Sequence, residues 1–237
     1  PTQTTSYTVT GTDNLGCSGS AGISITVFPA ASVSIIPSQS SVCLGGSVSL
    51  NASGATLYSW STGNTGSALT VSPTQTTTYS VTGTDVNNCV ATATATVTVN
   101  PLPNVQASSG QLEICINSPV QISASGASSY VWSNGNVTNS FTVSPSQTTT
   151  YSVTGTDANG CTGTSSVTVQ VVPELSVSIF ANSNEICEGG SITLHGQGAL
   201  NYSWSTGVQS SSITVSPTQT TSYTVTGTDN LGCSGSA

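Results

Sequence analysis

The sequence has no lysine, no arginine and no methionine in 237 residues, and only one histidine, His195. Each absence excludes something. Without cations the chain cannot neutralise phosphates, so nucleic acid and anionic membrane surfaces are excluded as partners. No internal salt bridge can form, and no lysine is present for a side-chain isopeptide crosslink. The eight acidic residues leave a net charge of −8, so solubility falls to serine, threonine, asparagine and glutamine. No apolar run reaches 18 residues, so nothing is predicted to insert into a membrane. One histidine and no Cys-x-x-Cys pair leave zinc without a ligand set. Serine and threonine hydroxyls abound, but none has a base to activate it, and no catalytic constellation or cofactor motif is present. The chain reads as a non-enzyme.

What is present is repetition. Ser72 to Cys89 reads Ser-Pro-Thr-Gln-Thr-Thr-Thr-Tyr-Ser-Val-Thr-Gly-Thr-Asp-Val-Asn-Asn-Cys, and nearly the same words recur from Ser144 to Cys161 and from Ser216 to Cys233. Tyr7, Tyr79, Tyr151 and Tyr223 stand 72 residues apart. The predicted organisation is 1–28, the end of one repeat; 29–100 and 101–172, two whole repeats; and 173–237, a repeat lacking its last strand. The first residue lies mid-repeat, as in a window on a longer chain. Pro1 to Ala21 is identical to Pro217 to Ala237, whereas adjacent copies differ, which suggests a higher-order repeat of three.

Each repeat alternates apolar and small polar residues with period two. Val33 and Ile35, Val48 and Leu50, Leu69 and Val71, and the long run Ala91 to Val99 are examples. Alternation of this kind marks half-buried strands, and no stretch carries a 3.6-residue period. Seven strands per repeat are expected, in an all-β sandwich. Tyr58 and Trp60, Tyr130 and Trp132, and Tyr202 and Trp204 sit at i and i+2, on one face of a strand. With Tyr79, Tyr151 and Tyr223 they are assigned to the core rather than to a recognition platform. Between repeats only Pro29, Pro101 or Pro173 intervenes, which predicts short, stiff joints and an extended rod.

A repeat of 72 residues buries a thin core and needs reinforcement. The cysteines fall into two series: Cys43, Cys115 and Cys187, and Cys17, Cys89, Cys161 and Cys233. Within a repeat the two types stand 46 residues apart, which predicts the disulfides Cys43–Cys89, Cys115–Cys161 and Cys187–Cys233. Cys17 is left unpaired. Disulfides imply an oxidising, extracellular compartment.

The turn before the second cysteine carries Asp13, Asp85, Asp157 and Asp229, with Gly16, Asn88, Gly160 and Gly232 three residues on. Exchange of glycine with asparagine points to a left-handed backbone, and the aspartates to Asx turns. Calcium is disfavoured, because each turn holds one carboxylate and Glu113, Glu174, Glu185 and Glu188 are unevenly shared among the repeats. His195 follows Leu194 in an alternating strand and so faces outward. Asn51, Asn136 and Asn201 occupy Asn-x-Ser/Thr sequons. The threonine rank Thr92, Thr94, Thr96 and Thr98 is read as a solvated strand face rather than an ice-binding plane.

Ser-Pro-Thr-Gln-Thr-Thr-Thr-Tyr-Ser-Val-Thr-Gly-Thr-Asp, closing in cysteine and then in Thr-Val-x-Val and proline, resembles the immunoglobulin-like repeats of Bacteroidetes surface proteins. Among them it is most similar to the very large repetitive adhesins moved along the cell surface in gliding. Tyr-Ser-Trp-Ser-Thr-Gly at Tyr58 to Gly63 and Tyr202 to Gly207 resembles polycystic-kidney-disease-type sandwich repeats. The resemblance implies export by the type IX secretion route to the bacterial cell surface. It also implies a stalk or filament role in attachment or gliding. Neighbouring repeats of the same chain are the expected partners. Polysaccharide or surface motility proteins would be reached through other regions. The alternative is a multivalent glycan- or protein-binding array.

Overall fold

Threonine, serine and valine in strict alternation leave a helix no apolar stripe, and β-branched side chains suit a pleated strand. The computed structural model describes all 237 residues, and every regular element in it is a β-strand. The chain divides into two compact units, Pro1–Leu102 and Pro103–Ala237.

The first unit opens with a hairpin of β1 (Thr5–Thr12) and β2 (Ser18–Ile25), whose Tyr7, Val9, Ile23 and Ile25 are exposed. Seven strands follow: β3 (Ser34–Ile36), β4 (Gln39–Cys43), β5 (Val48–Ser53), β6 (Leu57–Trp60), β7 (Ala68–Val71), β8 (Thr77–Thr84) and β9 (Val90–Asn100). One sheet has the order β3-β5-β7 and the other β4-β9-β8-β6. All pairings are antiparallel except that of β4 with β9, which runs from Gln39 opposite Thr96 to Cys43 opposite Asn100. Leu50, Val81, Ala95 and Val97 meet Trp60 between the sheets.

The second unit repeats this plan with β10 (Gln106–Ser109), β11 (Glu113–Cys115), β12 (Val120–Ser125), β13 (Ser129–Trp132), β14 (Ser140–Val143), β15 (Thr149–Thr156) and β16 (Thr162–Val172). Its sheets are β10-β12-β14 and β11-β16-β15-β13, with β11 again parallel to β16. Ile122, Trp132, Val153 and Val169 form the centre of its core, and Trp132 meets Phe141 edge-on at a centroid distance of 5.2 Å. Two facing sheets, with seven strands in this order, make an immunoglobulin-like sandwich.

A third set of strands completes the second unit: β17 (Ser178–Ala181), β18 (Ile192–Gln197), β19 (Asn201–Trp204), β20 (Ser212–Val215), β21 (Val225–Thr228) and β22 (Ser234–Ser236). Its sheets are β17-β18-β20 and β19-β21-β22. It has no counterpart of the parallel strand β11, and its final strand is three residues long.

Without lysine or arginine to pair with acids, the outer faces are joined by hydroxyls. Thr78 and Thr96 lie 3.0 Å apart across β8 and β9, and Thr150 and Thr168 lie 2.8 Å apart at the matching place. Ser108 with Ser123 and Thr193 with Thr214 repeat the device. Cross-strand hydroxyl pairs of this kind contribute a few tenths of a kcal/mol each, up to about 1.

Candidate functional site

The parallel pairing of β11 with β16 decides where the cysteines lie. Cys115 ends β11 and sits opposite Val172, the last residue of β16. Cys161 immediately precedes the first residue of that 11-residue strand. At about 3.3 Å per residue the two cysteines are separated by roughly 35 Å, the length of the sandwich, and a disulfide tolerates a Cα separation of at most about 7 Å. The same construction holds in the first unit, where Cys43 is opposite Asn100 and Cys89 precedes Val90.

The expected pairs Cys43–Cys89, Cys115–Cys161 and Cys187–Cys233 are therefore not formed. Cys115 bonds instead to Cys233, 118 residues later, with a Cα separation of 5.3 Å. Cys43 and Cys161 are also disulfide-bonded. Cys17, Cys89 and Cys187 are free thiols; Cys17 and Cys187 are exposed and Cys89 is half-buried. The bridge thus links two successive sandwiches of the second unit rather than the two ends of one.

The aspartate turn is the seat of this bridge. Asp229 accepts hydrogen bonds at Oδ1 from the amides of Leu231 and Cys233, at 2.9 and 2.8 Å. The amide of Asp229 in turn donates to the carbonyl of Cys233 at 3.0 Å. Asp13, Asp85 and Asp157 make the same pair of bonds, the second always to the following cysteine. The closed turn requires a left-handed residue, supplied by Gly16 (φ 81°), Asn88 (φ 61°), Gly160 (φ 80°) and Gly232 (φ 85°). The turn holds its cysteine at the pole of the sandwich. No group of three or more His, Cys, Asp or Glu side chains is placed to hold a metal ion.

The aromatics lie inside. Trp60, Trp132 and Trp204 are 3%, 2% and 3% exposed, and Tyr79, Tyr130 and Tyr151 are buried. Tyr58, Tyr202 and Tyr223 are half-buried and pack against their cores. Each indole N–H donates to a backbone carbonyl six residues on: Gly66, Thr138 and Ser210, at 2.9, 3.0 and 2.9 Å. The hydroxyl of Tyr130 donates to the carbonyl of Ala127 at 2.9 Å and accepts from its amide at 3.0 Å; Tyr58 brackets Ala55, and Tyr202 brackets Ala199, in the same way. His195 is exposed, its ring 6.4 Å from that of Phe180.

One structural position was not read from the sequence. The glycine of each Val-Thr-Gly-Thr, at Gly83, Gly155 and Gly227, lies under a valine and an alanine from earlier in its own sandwich. A Cβ on Gly155 would come within 2.7 Å of both Ala127 and Val105. The repetition of this glycine beside the tyrosine-bracketed alanine is the signal that marks it.

Neither a protein-family profile nor a curated protein matches the sequence. Several solved structures are similar in shape. One is a Ca2+-stabilised adhesin with which an Antarctic bacterium binds ice; it is 14% identical, with 99% of this chain and 80% of that one covered and a TM-score of 0.39. The ICAM-5 D1–D4 ectodomain fragment is 12% identical over 99% of this chain and 81% of its own, with a TM-score of 0.43. The eight N-terminal immunoglobulin domains of Down syndrome cell adhesion molecule are 17% identical over 98% and 45%, with a TM-score of 0.37. Values this low carry no argument about function, and the fold assignment rests on the strand order itself.

Proposed function

We propose that this chain is a segment of the stalk of a repetitive bacterial cell-surface adhesin, exported by the type IX route and serving attachment or gliding. In this reading residues 29–100, 101–172 and 173–237 are successive sandwiches of an extended rod. The stalk holds a distal binding region away from the cell and bears the tension of attachment. The observation that carries the proposal is the Cys115–Cys233 bridge, which ties one sandwich to the next. A bond within one sandwich would reinforce that sandwich alone, whereas a bond across a joint ties two sandwiches together. In the chain-entropy view, closing a loop of this length is worth about 5 kcal/mol.

The alternative of a multivalent binding array finds less support. The three tryptophans that would form a sugar-stacking platform are in the cores, and the outward faces present mainly hydroxyls.

Force spectroscopy on the chain, pulled from its ends with and without reductant, tests the stalk reading. With the bridge intact, residues 116–232 are closed into a loop that cannot be drawn out to its full length, and Cys161 within that loop is itself bridged. Reduction frees the loop, and additional contour length on the order of 400 Å is released at 3.3–3.6 Å per residue. Equal release in both conditions would remove the mechanical role.

A further inference from the structure

The outer face of the sheet β17-β18-β20 departs from its counterparts in the other two sandwiches. Across the matching rank the first sandwich carries Ile36, Asn51 and Ala68, and the second carries Ser108, Ser123 and Ser140. The third carries Phe180 opposite His195, and His195 opposite Ser212. Phe180 is 52% exposed and His195 is exposed. Their rings stand 6.4 Å apart and are inclined at 38°, so neither covers the face of the other. Ser108 and Ser123 join the matching strands by a hydroxyl pair at 2.9 Å, so the sheet does not need rings at this rank.

The face lies on the far side of its sheet from Ile179, Leu194 and Ile213, which pack inward. In the two complete sandwiches the same face is open as well: Ile36 is 68% exposed, and Asn51 and Ser108 are exposed. Its exposure is therefore independent of the strand that closes a sandwich. Polar side chains flank the rings along the strands. Ser178 lies opposite Gln197 on one side and Thr193 opposite Thr214 on the other, each rank about 7 Å from the rings. All four are exposed, and the hydroxyls of Thr193 and Thr214 are 3.1 Å apart.

We propose that this face binds an uncharged, ribbon-like β-linked polysaccharide, with one pyranose ring resting on Phe180 and His195 and its neighbours hydrogen-bonded to the flanking ranks. The C–H bonds on the flat side of a pyranose carry partial positive charge and lie favourably against the negative face of an aromatic ring. Sugar hydroxyls both donate and accept, as do the hydroxyls of Ser178, Thr193 and Thr214 and the amide of Gln197. A flat, open sheet takes the interior of an extended ribbon without having to enclose a chain end. An acidic polysaccharide would meet a chain of net charge −8 with no lysine or arginine to receive it. A protein partner would require a broad apolar centre, whereas here one pair of rings is surrounded by hydroxyls and an amide. The site belongs to one sandwich and not to every copy, and it does not depend on the stalk reading.

Isothermal titration of the whole chain with cellohexaose and xylohexaose, and with hexagalacturonate as an acidic comparison, tests the proposal. Saturable binding of at least one neutral hexasaccharide is expected at a Kd of roughly 10 µM to 1 mM, the range open to one stacked ring and a few hydrogen bonds. Hexagalacturonate should bind about tenfold more weakly or not at all. Phe180→Ser introduces the side chain that Ser108 supplies at the matching place, so folding is retained, and it should weaken binding about tenfold. The near-ultraviolet circular dichroism of Trp204, which lies in the core, should not change in this variant, which separates loss of the site from loss of the fold. Absence of saturable binding by both neutral hexasaccharides would overturn the proposal. So would an affinity unchanged by Phe180→Ser, or hexagalacturonate bound as tightly as the neutral sugars. Self-association abolished by Phe180→Ser, with no sugar bound, would also overturn it and assign the face to a protein contact.

Discussion

Cys115 and Cys161 belong to one sandwich and sit at its opposite poles, one beside the end of β16 and the other before its start. They are too far apart to bond to each other, and Cys115 is bridged instead to Cys233 of the following strand set in the second unit.

The aspartate turn is expected to govern how readily that bridge forms. Asp229→Ala removes the acceptor for two amides, including that of Cys233, and at about 1 kcal/mol per bond should cost about 2 kcal/mol of local stability. Quantitative thiol labelling should then find more reduced Cys115 and Cys233 at a fixed glutathione potential. Asp229→Asn keeps an acceptor oxygen and should restore most of the bridge. Calcium or a chelator should change neither result, because the carboxylate works by accepting from the two backbone amides.

A second test concerns close approach. Gly155→Ala places a methyl group within 2.7 Å of Ala127 and Val105, and overpacking of that kind costs about 1–3 kcal/mol. Gly11 is its counterpart in the opening hairpin and has nothing within 4 Å of such a methyl group. Urea denaturation should show a lowered midpoint for Gly155→Ala and none for Gly11→Ala.

A third compares a buried tyrosine with an exposed one. Tyr130→Phe leaves the half-buried amide and carbonyl of Ala127 without their shared partner, and two hydrogen bonds at about 0.5–1.5 kcal/mol each make the expected cost about 1–3 kcal/mol. Tyr7→Phe alters a hydroxyl on an exposed strand and should leave stability unchanged. Intrinsic tryptophan fluorescence during unfolding distinguishes the two, since Trp132 shares the core with Tyr130.

Much of this architecture was legible in the sequence. Val48, Leu50 and their counterparts alternate because one face of each strand is buried, and Asn88 in place of glycine disclosed a left-handed turn before any geometry was known. The Tyr-x-Trp pairs were assignable to the core for the same reason. The cysteine pairing was misread because proximity was judged by a 46-residue spacing instead of by strand direction. Gln39–Cys43 is too polar to display strong alternation, so its parallel pairing with β9 had no mark in the composition. Once that strand is known to run with β9, the first cysteine must lie where β9 ends and the second where it begins. The role of Gly155 was hidden for a different reason, since close backbone approach depends on Ala127 and Val105, which are distant in sequence.

The central claim, that the Cys115–Cys233 bridge joins two successive sandwiches of the second unit, is tested most directly by mapping the disulfides of the oxidised protein. Trypsin has no site in this chain, so chymotrypsin or pepsin at low pH is the protease of choice, followed by mass spectrometry without reduction. The account predicts a peptide pair carrying Cys115 bonded to Cys233. A pair carrying Cys115 bonded to Cys161 would contradict it.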